Sequence, residues 1–129
     1  MMQNAVADHR RQRGHVAYHS GIAAEKRIAQ DYARRGFALA RERWRGKSGE
    51  IDLILRDGAG LIFVEVKKAR DFDRAAESLS ARQMRRLYGA AEEFLGSEPA
   101  GSLTNVRFDV ALVNGRGETR IIENAFGHG

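Results

Sequence analysis

The stretch Glu50–Lys68 reads EIDLILRDGAGLIFVEVKK. Ile51, Leu53 and Leu55 alternate along its first half, and Ile62, Val64 and Val66 alternate along its second. Between them lies Asp57-Gly58-Ala59-Gly60, which is turn chemistry. Side chains two apart in a strand share a face, so the stretch is predicted to be a β-hairpin with arms Glu50–Arg56 and Leu61–Lys68. The alternating apolar residues supply a core face. The other face carries Glu50 and Asp52 on one arm, and Phe63, Glu65 and Lys67 on the next. A hairpin symmetric about the Gly58/Ala59 boundary sets Asp52 opposite Glu65 and Glu50 opposite Lys67. Opposed residues have Cβ atoms roughly 4.5–5.5 Å apart, where like charges repel. A divalent cation relieves such repulsion. Mg²⁺ is typically held by one or two carboxylates, with waters and substrate phosphate completing its shell; the pattern does not separate it from Mn²⁺. Lys67 beside the pair could orient or help deprotonate an attacking water, or stabilise the charge of a pentacoordinate phosphorane. A plainer arrangement uses the same residues: Glu50 and Lys67 as an exposed ion pair worth about 0–1 kcal/mol, with Asp52 and Glu65 facing solvent.

Outward from the hairpin, Phe37–Arg45 reads as a strand that becomes strongly basic. Before it, a helix is expected from Ser20, its N-cap, to Arg35, with Gly36 as the stop. Ile22, Ile28, Ala29, Tyr32 and Ala33 gather on one side of that helix and Lys26, Arg27, Gln30, Asp31 and Arg34 on the other. Glu25 falls within the apolar stripe. A carboxylate aimed at the core needs a partner, a proton or a metal, and this one could complete the metal shell. Beyond the hairpin, 69–79 reads as a loop. A second helix, Ser80–Leu95, buries Met84, Leu87, Tyr88, Ala91 and Leu95 and opens on Ser80-Ala81-Arg82-Gln83, the pattern of a capping box. Gln83 is thus either a cap or a substrate contact. Arg82, Arg85 and Arg86 form either a solvated face or a phosphate-binding one. Asn105–Val113 alternates as a strand, and Arg120–Glu123 adds a short last one. Arg107 and Asp109 share a face of the former, where they could pair with a neighbour; Asp109 could also support the carboxylates.

The chain has 129 residues, 43% apolar and 30% charged, with one proline and no cysteine. That is room for one domain, residues 20–126, preceded by a basic tail over 1–19. The absence of cysteine excludes disulfides, iron–sulfur ligation and thiol catalysis. No apolar run is long enough to span a bilayer and no secretory h-region opens the chain, so the expectation is no membrane and a cytoplasmic location. The net charge of +5 is uneven: between Arg34 and Lys47 lie six basic residues and a single carboxylate, Glu42. A basic stripe containing Arg41, Arg43, Arg45 and Lys47 points to a polyanion such as nucleic acid. Trp44, inside the stripe, either stacks on a base or packs the sheet edge.

The residues Gly49-Glu50-Ile51-Asp52-Leu53-Ile54, Phe63-Val64-Glu65-Val66-Lys67 and Arg107-Phe108-Asp109-Val110, with Ala24-Glu25 and Arg82-Gln83, closely resemble the YraN family of small bacterial proteins. The resemblance covers about residues 20–126. Asp52 followed by Glu65-x-Lys67 also resembles the motif of the restriction-endonuclease-like PD-(D/E)XK superfamily, which includes archaeal Holliday junction resolvases. Arg82 stands where relatives often carry lysine, and Ile51 where the superfamily's name has proline. The resemblance implies an α/β fold with a restriction endonuclease-like αβββαβ core, a central mixed β-sheet flanked by helices. It further implies Asp52 and Glu65 as metal ligands, Lys67 as the catalytic lysine and Glu25 as an accessory acid.

The expectation is therefore one α/β domain with the acidic cluster on an open face. Two functions stay open: a Mg²⁺-dependent (or Mn²⁺-dependent) endonuclease acting on DNA, branched or junction DNA included, or a catalytically silent nucleic-acid-binding module with the same fold. Cutting both strands of a junction would suit a two-fold homodimer.

Overall fold

The protein is described by a computed structural model over residues 21–126. The basic tail and the expected cap Ser20 lie outside the described residues. The chain is helical over 21–34 (α1). Then follow β1 (Ala38–Arg45), β2 (Glu50–Asp57), β3 (Gly60–Lys68), α2 (Phe72–Glu77), α3 (Ala81–Leu95), a 3-10 turn (Gly101–Leu103), β4 (Val106–Val113) and β5 (Thr119–Ile122). The strands form one mixed sheet in the order β1-β2-β3-β4-β5. β3 and β4 run parallel, and the other neighbours are antiparallel. A parallel neighbour needs a crossover, and α2 and α3 supply it.

Helices cover both sides of the sheet, so the strands are apolar on both faces rather than alternating strictly. On one side Ala24, Ile28 and Tyr32 of α1 pack on Leu53, Leu55, Ile62, Val64, Ala111 and Val113. On the other, Leu87, Ala90, Ala91 and Phe94 of α3 pack on Ile51, Ile54, Leu61, Phe63 and Phe108. The stripes are rotated slightly from the expected ones. In α1, Ala24 is buried and Ala33 exposed. In α3, Phe94 rather than Met84 anchors the face, because it meets Trp44 (ring centroids 5.4 Å apart) and Phe63 (6.0 Å) edge-on. Trp44 therefore packs the sheet.

The expected loop over 69–79 is in part a helix. Asp71 caps α2 by accepting from the Arg74 N–H (2.9 Å), and Ala75 is buried against Val110 and Leu112. Six residues are too few to display a helical period, which is why the sequence hid it.

The central hairpin keeps the expected register from Asp57↔Gly60 to Leu53↔Val64. The regular ladder stops there, one pair short of Asp52 and Glu65. At the same level β1 is irregular: Arg43, beside Asp52, has φ 50°, a left-handed conformation uncommon for a side chain of this size. The strict alternation expected of Ile51, Leu53 and Leu55 fails here, since Ile51 joins the α3 layer while Leu53 and Leu55 join the α1 layer. Asp52 is thereby turned sideways, along the sheet and toward β3.

Candidate active site

The sideways turn gives Asp52 its partners. Its Oδ2 accepts the backbone N–H of Val66 (2.8 Å), so a side chain takes over where the strand ladder ends. Glu65, one residue earlier on β3, lies near enough for its charge to act on Asp52, and Lys67 Nζ lies 3.3 Å from Glu65 Oε1. The three sequence-predicted catalytic residues are thus brought together. They do not sit on an open face, as expected, but are half-buried, because α1 and α3 close over both sides of the sheet. Burial, then the Glu65 charge, push the Asp52 carboxyl up to about 7, against the pull of the Val66 N–H. Glu65 is also raised, by burial, with Lys67 opposing. The pair resists carrying two negative charges in so little water.

The expected pairing of Glu50 with Lys67 does not form. Arg45 reaches Glu50 instead (3.2 Å), and Lys67 turns to Glu65. Glu25 is buried as expected, with 9% of its surface exposed. Its partner is a cation of the protein itself: Arg43 Nε donates to Glu25 Oε2 at 2.8 Å. Asp109 is fully buried but supports a different network on the α1 side. It accepts from Tyr32 Oη (2.7 Å), from two guanidinium nitrogens of Arg107 (both 2.9 Å) and from the Asn124 N–H (2.9 Å). Burial and this carboxylate hold the Tyr32 hydroxyl well above the usual phenol range.

The basic residues divide. Arg45, Lys47 and Arg86 line a cavity of about 350 Å³ together with Glu50, whose charge reaches both Asp52 and Glu65. The stripe on β1 and the face of α3 therefore meet beside the carboxylates. Arg82 and Arg85 are exposed on α3 and Arg41 on β1, outside that lining. Gln83 closes the capping box, its Oε1 accepting from the Ser80 N–H (3.2 Å) while Ser80 Oγ accepts from the Gln83 N–H (3.1 Å).

Glu93 holds the cavity's loop in place, a role nothing in the local pattern announces. Its two oxygens accept the N–H groups of Lys47 (2.8 Å) and Ser48 (2.6 Å), and those bonds, the Ser48 hydroxyl's first, keep its carboxyl below the usual range. Glu93 is 46 residues from Lys47, so only the fold joins them.

The donor set can be weighed against a metal. Among the described residues no three carboxylate or histidine groups converge into a ready-made cage. Asp52 and Glu65 supply two carboxylates, the number Mg²⁺ commonly takes from protein, and the repulsion between them is what a divalent ion relieves. The pair fits a hard cation that draws its remaining ligands from water and substrate.

The fold and this site define a mixed α/β protein with a half-buried carboxylate pair and a lysine where its central hairpin opens. By sequence, the chain belongs to the Uncharacterised protein family UPF0102, whose profile matches residues 24–113, and this is the family the YraN resemblance anticipated. The matched span contains Glu25, Asp52, Glu65 and Lys67. The chain is similar to a UPF0102 protein of Ruegeria pomeroyi, 62% identical over 117 residues, which cover 91% of this chain and 93% of the relative. A Cereibacter sphaeroides UPF0102 protein is 58% identical over 113 residues, 88% of this chain and 97% of the relative. One from Roseobacter denitrificans is 47% identical over 116 residues, 90% of each chain. Among the described residues no helix is long and apolar enough to cross a membrane.

Proposed function

We propose that the protein is a Mg²⁺-dependent or Mn²⁺-dependent nuclease that hydrolyses phosphodiester bonds of DNA. Asp52 and Glu65 hold the metal and Lys67 is the catalytic lysine. The observation that carries this reading is the half-buried neighbourhood of Asp52 and Glu65, with Lys67 on the latter, at the point where β2 and β3 part. Two carboxyls forced together in a half-buried place weaken the fold, as groups kept for chemistry commonly do.

A bound Mg²⁺ or Mn²⁺ supplies the positive charge that lets both carboxyls ionise and that offsets charge developing on phosphate. The chain's own residues do the rest. The Val66 N–H fixes one oxygen of Asp52, so the other is presented in a set direction. Lys67 uses one contact on Glu65 and keeps further N–H donors for a phosphate oxygen or the attacking water. Arg45, Lys47 and Arg86 hold backbone phosphates beside the pair, which gives affinity without sequence preference. Arg41, Arg82 and Arg85 extend the same positive surface. Glu25, through Arg43, braces the irregular part of β1 against α1.

The cavity of Arg45, Lys47 and Arg86 needs no metal, which favours a silent nucleic-acid-binding module as the second reading. One experiment separates the two. Single-stranded, flapped and four-way-junction DNA are incubated with the protein in Mg²⁺, Mn²⁺ or a chelator, alongside Asp52→Asn, Glu65→Gln and Lys67→Met. The nuclease reading expects metal-dependent cleavage that each substitution lowers by about a hundredfold or more. Salt-sensitive binding with no cleavage of any substrate would leave the silent module. Neither binding nor cleavage would remove both.

A further inference from the structure

A second positively charged cavity, of about 290 Å³, lies at the end of β3. It is lined by Ala24 and Arg27 of α1, Lys68, and the turn between β4 and β5 that carries Gly115, Arg116 and Gly117. Three cations face it, and among the described residues no carboxylate lines it. Arg27 donates to the Gly117 carbonyl, a neutral acceptor, so its charge is not cancelled. The turn is held ready-made. Asn114 Oδ1 accepts the N–H groups of Arg116 (3.0 Å) and Glu118 (2.9 Å), and Asn114 Nδ2 donates to the Glu118 carboxylate (2.9 Å). Gly117 has φ +77°, a left-handed conformation that favours glycine, and the Arg27 guanidinium lies against it.

The position of the cavity matters as much as its charge. Lys68 follows Lys67 directly and Ala24 precedes Glu25, so the cavity adjoins the carboxylate site around the end of β3. β3 and β4 run parallel to Lys68↔Val113, and the carboxyl ends of parallel strands are where α/β sheets receive ligands. Guanidinium and ammonium groups around an acid-free cavity suit a phosphate, which guanidinium binds through paired donors.

We propose that this cavity is a second phosphate subsite. It holds a backbone phosphate of the nucleic-acid strand next along from the one at Asp52 and Glu65, and the assignment rests on the nuclease reading. Lys68 and Arg116 are exposed, so Lys68→Ala with Arg116→Ala leaves the core intact. The full chain is titrated, in chelator, with a single-stranded tetranucleotide and with inorganic phosphate, reading amide chemical shifts by NMR. Mg²⁺ is titrated separately. The tetranucleotide is expected to shift the Gly115 and Gly117 amides. The double substitution is expected to weaken its binding about tenfold and to reduce the salt slope by about 0.7, one single-strand phosphate, while Mg²⁺ affinity is unchanged. Shifts confined to other amides, or tight binding and an unchanged slope in the double variant, would overturn the subsite. A response to inorganic phosphate with none to the tetranucleotide would overturn its assignment to nucleic acid. Failure of Mg²⁺ to bind, even with a DNA strand present to supply phosphate ligands, would instead overturn the nuclease reading, which the oligonucleotide arm does not measure.

Discussion

Asp52 shows what a site costs a fold. Its ordinary pKa is 3.8 and its native value is about 7, raised first by burial and then by Glu65. Between those values the native carboxyl keeps a proton that the unfolded chain has lost, so unfolding is increasingly favoured as pH rises. Metal-free protein is therefore predicted to be most stable below about pH 4 as far as this group is concerned, and to lose on the order of 4 kcal/mol by pH 8. Asp52→Asn keeps an oxygen for the Val66 N–H and removes the ionisation. Urea unfolding across this range should show a flatter profile for the variant and higher stability than wild type at pH 8; parallel profiles would contradict the argument. Asp109 is the contrasting buried acid, because every contact it makes satisfies its charge. Arg107→Ala strips the cation that pairs with it, and is predicted to lower stability by about 3–5 kcal/mol in chemical denaturation. Tyr32→Phe removes one of several donors and should cost about 1–2 kcal/mol. The sequence shows Asp52, Glu65 and Lys67 as a charged set, since period-two alternation exposes any break in an apolar face. It does not show that Asp52 turns sideways. That turn coincides with an irregular residue on the neighbouring strand, Arg43, and no pattern within β2 encodes it.

Among the elements, the link between the β1–β2 loop and α3 is the one that shapes the proposed binding surface. Glu93 holds the Lys47 and Ser48 N–H groups, and Gly89 lets the loop approach: a Cβ at Gly89 would lie 2.9 Å from Ser48 Cβ. In a free helix Gly→Ala gains about 1 kcal/mol, but here the loop must move. Gly89→Ala and Glu93→Gln are both predicted to speed hydrogen exchange at Lys47 and Ser48 and to weaken DNA binding, while β3 and β4 stay protected. Unchanged exchange at those two amides would show that the loop is held otherwise. The hairpin was legible because its turn and its alternation agree on one register. The helix α2 and the rotated stripe of α3 were not, because one is a single short turn-and-a-half and the other is settled by where Trp44 and Phe63 leave room for Phe94.

At the scale of the molecule, Arg45 and Lys47 at the end of β1, Arg86 of α3 and the carboxylates of the central hairpin come from separate parts of the chain and are brought together by the fold. The sequence displayed each part, and the strand order joined them. A polyanion bound there should dissociate with salt, and replacing Arg45, Lys47 and Arg86 by alanine should lower the slope of log affinity against log salt by about two to three for duplex DNA. An unchanged slope would move the binding face elsewhere. A metal site at Asp52 and Glu65 is tested most directly by Mg²⁺ titration calorimetry, with and without a DNA strand to supply phosphate ligands, on wild type and on Asp52→Asn with Glu65→Gln. Wild type is expected to bind saturably, with proton release near neutral pH, and the double variant not at all. Equal binding by both proteins, or no binding by wild type even with DNA present, would contradict it.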